Sequence, residues 1–64
     1  MSAIEQDIQS YARGMRTGCT QTCIEVEQKY DLYGLPPELV SECLTAILKG
    51  EAVEDVFARW EDKK

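Results

Sequence analysis

Cys19, Cys23 and Cys43 are the residues of this chain with the clearest capacity for chemistry. Structural zinc would want four ligands, as thiolate pairs two to four residues apart joined by a second pair or by histidines. Cys19 and Cys23 have three residues between them, no histidine exists to complete a set, and Cys43 stands alone. A disulfide fits no better. Helical neighbours at i and i+4 hold their Cβ atoms ~5–6 Å apart, against ~3.8 Å in a cystine. The thiols are therefore expected to be reduced, packed as small hydrophobes, with no metal and no cofactor. Close carboxylates such as Glu54 and Asp55 arise by chance among twelve acids. With no nucleophile–base spacing, no phosphate-cradling glycine loop and little room for a substrate cleft, the sequence predicts a protein that is not an enzyme.

The elements that carry these residues are helical. From Ile4 the apolar positions are Ile8, Tyr11, Met15, Cys19, Cys23, Val26 and Tyr30, in steps of 4, 3, 4, 4, 4, 3 and 4. At about 100° per residue that spacing keeps them on one helical face, and no period of two is present to support a strand. Ser2 and Glu5 form an S-x-x-E capping box at its start. The centre is weak, because Gly14, Thr17, Gly18, Thr20 and Thr22 together cost ~4 kcal/mol of propensity relative to alanine. A break would use Gly18 as the stop and Thr20 or Thr22 as a new N-cap, with Thr22 and Glu25 fitting a second capping box. The register favours one long helix over about residues 3–32, continuous or kinked. Ser10, Gly14, Gly18 and Thr22 fall four apart beside the apolar face, so a second helix can approach there closely.

Beyond Tyr30 the pattern stops. Gly34 is the expected C′ residue, Tyr33 and Leu35 are expected to fold back onto the core, and Pro36-Pro37 pre-set a helix start. A second helix follows over about 37–49, with Leu39, Val40, Cys43, Leu44, Ile47 and Leu48 as its buried face and Gly50 as its stop. A third spans about 52–62, with the stripe Val53, Val56, Phe57 and Trp60. Asp55 can pair with Arg59, and Arg59, Lys63 and Lys64 suit its C-terminal dipole. The fold class expected is all-α, one domain over 1–64, in which a C-terminal helical hairpin closes over the long first helix.

Charge limits what such a domain can bind. The net charge is −5, residues 1–24 are neutral, and everything after them holds ten acids against five bases. That sign opposes a phosphate backbone and suits a basic protein surface. A helix–turn–helix reading fails on the same ground. Its recognition helix would carry Glu51, Glu54, Asp55, Glu61 and Asp62 with Arg59 as the base in its body. Arg13 and Arg16 form the basic cluster, and Ile24 projects nearly opposite Ile8, which suggests a second contact surface. No apolar run reaches transmembrane length, and Met1 is followed by a polar, charged segment, so a cytoplasmic protein is expected. A core this small gains from self-association, so a homodimer is also expected.

The short length, acidic charge, compact helical pattern and the Ser2-x-x-Glu5 opening resemble the small accessory proteins of temperate, lambda-like bacteriophages, those of the exo–xis early region. That resemblance implies a non-catalytic early protein that alters host or phage development by binding other proteins, in the host cytoplasm. The residues expected to contact a partner or a second copy are Ser10, Gly14, Gly18, Ile24 and Tyr33. The alternative in another class is a structural subunit whose surface serves self-assembly alone.

Overall fold

The computed structural model describes residues 2–62. It is all-helical, as the periodicity requires, but with four helices rather than three: α1 (Ala3–Thr17), α2 (Thr20–Lys29), α3 (Pro37–Lys49) and α4 (Val53–Asp62). Helix α1 packs on α2 and on α3, and α3 packs on α4. The α1 start is the expected capping box, with Ser2 and Glu5 each bonding the other's backbone N–H. Lys63 and Lys64, expected to favour the α4 dipole, lie outside the described residues.

The single long helix is the main correction. It ends at Gly18, whose φ of 75° lies in the left-handed region, and the N–H groups of Gly18 and Cys19 both turn back to the Gly14 carbonyl. This closure satisfies the Gly14 carbonyl at a helix end, where carbonyls are otherwise left bare. The new N-cap is Cys19, with no side-chain cap, so neither Thr20 nor Thr22 takes that role and the Thr22–Glu25 box does not form. Reversal at Gly18 lets α2 fold onto α1. A continuous helix would leave both apolar stripes for other elements to cover. Register could not reveal this, because each half keeps the same stripe whether or not the chain turns between them.

Two further helix ends repeat the device. Helix α2 closes through Asp31 at φ 58°, with the Leu32 N–H reaching the Glu27 carbonyl at 2.7 Å. Gly34, expected as that C′ residue, instead sits later in the loop at φ 88°. Leu32 is buried and Leu35 packs against the core, but Tyr33 stays 64 % exposed and does not fold back. Gly50 closes α3 at φ 80°, as expected.

The core gathers Tyr11, Cys23, Val26, Leu32, Leu39, Val40, Cys43, Leu44, Ala46 and Val56, with Ile4, Ile8, Tyr30, Phe57 and Trp60 partly buried around it. Met15 and Cys19 leave the expected face for solvent, because the reversal at Gly18 carries them past the end of the core. On α3, Leu48, expected on the buried face, is 44 % exposed, while Ala46 is buried. Arg59 pairs with Glu51 at 3.8 Å rather than with Asp55. The accessible surface is 4412 Å², close to the ~4,200 Å² that size scaling gives a folded monomer of this mass. Among the described residues no helix is long and apolar enough to cross a membrane.

Candidate functional site

The thiols are dispersed. Cys43 is buried in α3, and burial pushes its thiol upward; Cys23 is buried against α1, donates to the Tyr11 carbonyl at 3.8 Å, and is raised by burial as well. Cys19 is exposed, 3.1 Å from the Thr22 hydroxyl, and that contact lowers its pKa. Among the described residues no three metal-ligating side chains converge. Cys23 serves packing: a methyl on Gly14 would stand 2.9 Å from its sulfur.

Gly14 accordingly lies inside the molecule, at the closest approach of α1 and α2. The close helix approach expected at this glycine is made by the chain's own second helix. Ser10 is half-buried, Gly18 exposed, Ile24 half-buried and Tyr33 exposed. Arg13 and Arg16 are exposed and make no ion pair among the described residues.

Three of the expected contact residues do come together. Gly14, Gly18 and Ile24 line one groove of about 260 Å³ with Tyr11, Met15, Thr20, Cys23, Glu27 and Pro37. It opens where α1 ends, α2 begins and α3 starts, so the turn at Gly18 creates it. Met15 is 48 % exposed there. Glu27 is the charged residue of the lining; its Oε2 accepts from the Tyr11 hydroxyl at 2.8 Å, leaving Oε1 open. Burial and that bond raise the Tyr11 pKa well above its ordinary value. A second, polar hollow lies across Gly14, lined by Ser10, Arg13, Thr17, Cys19 and Thr22. The two hollows thus differ in charge, one carrying Glu27 and the other Arg13.

Nearer the start of α1 a polar tie holds α1 to α2. Asp7 Oδ2 accepts from the Lys29 ammonium at 2.8 Å and from the Tyr30 hydroxyl. These partners, Lys29 first, hold the Asp7 carboxyl below its usual value. Sequence reasoning missed Met15, Glu27 and Pro37 as groove residues and the Tyr11–Glu27 and Asp7–Tyr30 bonds. A reversal at Gly18 was the signal that would have found them, because it alone places residues sixteen and twenty-three apart side by side.

No family model matches the chain, and neither a curated protein nor a solved structure matches it.

Proposed function

We propose that this chain is a small non-catalytic regulator that works by binding another protein, one that presents a basic surface. The charge distribution carries this reading. Ten acids against five bases follow residue 24, and of those bases Lys29 and Arg59 are already in ion pairs. Helix α4 holds Glu54, Asp55, Glu61 and Asp62 at the surface, a sign that repels nucleic acid and attracts Lys- and Arg-rich proteins. The resemblance to early accessory proteins of lambda-like phages implies a regulator that works in the host cytoplasm on host or phage development. Proteins that themselves bind nucleic acid are basic, which makes them suitable partners. Affinity purification of the tagged chain from its native host tests the reading. The expected result is a basic protein, captured at low salt and released as ionic strength rises. Recovery of the chain alone, as a stable homo-oligomer by light scattering, would replace this reading with a self-assembling structural subunit.

A further inference from the structure

We propose that the groove between α1, α2 and the start of α3 receives one apolar side chain from a basic segment of the partner protein, with a lysine or arginine of that segment paired to Glu27. The inference rests on the reading of the chain as a protein-binding module and assigns the anchoring point within it.

The lining determines the chemistry of the occupant. Met15, Ile24 and Pro37 supply apolar walls, and Gly18 contributes backbone to the lining, with open space around the position of a Cβ built on it. Methionine is unbranched and adapts to the shape of what it contacts. At about 260 Å³ the groove falls below the ~300 Å³ at which small-molecule sites commonly begin. It suits a side chain presented by a larger surface. Glu27 supplies the sign: one oxygen is held by Tyr11, the other takes no bond from the described residues, and none of the described residues that line the groove is basic. Pro37 is followed by exposed Glu38 at the start of α3, which adds negative charge at the rim. The competing occupant is a second copy offering Arg16, which makes no ion pair among the described residues. A net charge of −5 on each copy opposes that association.

The test is a nitrogen-15 correlation titration of the full chain with a short amphipathic leucine–lysine peptide, with its leucine–glutamate counterpart in parallel. The lysine peptide is expected to shift Gly18, Cys23, Ile24 and Glu27, and the glutamate peptide to leave them in place. Met15→Ser should weaken binding about tenfold by removing the apolar wall. Glu27→Gln, which still accepts from Tyr11, should weaken it about threefold to fivefold. Glu54→Gln removes the same charge from α4 and should change affinity by less than about twofold. Thermal unfolding of each variant checks that the fold is intact. The proposal is overturned if shifts spread over α3 and α4, if Glu54→Gln matches Glu27→Gln, if the glutamate peptide binds as well, or if neither peptide binds. It is also overturned if the groove is covered in a homodimer that Arg16→Gln dissolves. A native partner captured equally well by Met15→Ser would sink the groove assignment and leave the protein-binding reading standing.

Discussion

Gly18 and Gly50 close α1 and α3 with nearly the same backbone geometry, φ 75° and 80°, yet the hairpins beyond them are held shut differently. In the C-terminal pair, Val40, Cys43 and Leu44 of α3 and Val56 of α4 are almost wholly buried, and the described ion pair is an exposed one between Arg59 and Glu51. Area removed from water holds that half together, and neither protonation nor the screening that weakens ion pairs acts on it directly. In the N-terminal pair Tyr11 and Cys23 are buried, but the helices are also laced by Tyr11–Glu27, Asp7–Tyr30 and Asp7–Lys29 and meet across a glycine. Such a hairpin is specified by matched polar groups and one close approach, so it is the half that solution conditions can loosen. The groove lies on this half, beside the turn.

The comparison can be broken first at Leu44. Leu44→Ala removes a side chain that is 1 % exposed and should cost about 3 kcal/mol, lowering the melting temperature by roughly 15 °C. If urea unfolding shows a loss no larger than that from a polar tie, the C-terminal half is not held by its packing. Next comes Gly14. Gly14→Leu drives a side chain into Cys23 Sγ and the Cys19 carbonyl, and should cost about 2 kcal/mol by overpacking. Its hydrogen-exchange protection should fall in α1 and α2 before α3.

Acid sharpens the contrast further. The folded Asp7 carboxyl sits below its usual value, held there by Lys29 and then Tyr30. The unfolded chain therefore binds the proton first, and stability rises with pH across that window. The contribution is fully present above about pH 4 and is lost as pH falls through the lowered folded value. Asp7→Asn should reproduce about 1 kcal/mol of that loss at neutral pH and flatten the acid limb of the melting profile. At the alkaline end Tyr11 is raised, by burial first and Glu27 second. Its neutral form stabilises the fold below pH ~10, and that support declines as pH climbs higher and the unfolded tyrosine ionises. Tyr30 is raised too, by its bond to Asp7 first and by burial second, so tyrosine absorbance against pH would show two late-titrating rings.

The smallest expected effect is a gain. Asp31 closes α2 at φ 58° where a side chain is strained, whereas α1 and α3 use glycine. Asp31→Gly should stabilise by about 0.5–1 kcal/mol, the relief of strain less the extra freedom of the unfolded chain. A lower urea midpoint would mean that the carboxylate has a role at the turn that its geometry does not reveal.

The all-helical class, the capping box at Ser2, the α3 bounds Pro37–Lys49 and the stop at Gly50 followed from local signals, since caps, proline, glycine and a period of 3.6 act within one turn of chain. Gly14 was also legible as a place of close approach, though not the side of the molecule from which the approach comes, whereas Gly18 on the same ridge is left open. Tertiary structure alone decided that Gly18 reverses the chain. The choice between one long helix and two folded together depends on what α1 gains by burying Tyr11 against α2 and α3, a long-range term that no window of sequence contains. From that one reversal follow the exposure of Met15, the burial of Gly14, the pairing of Asp7 with Lys29 and Tyr30, and the groove itself.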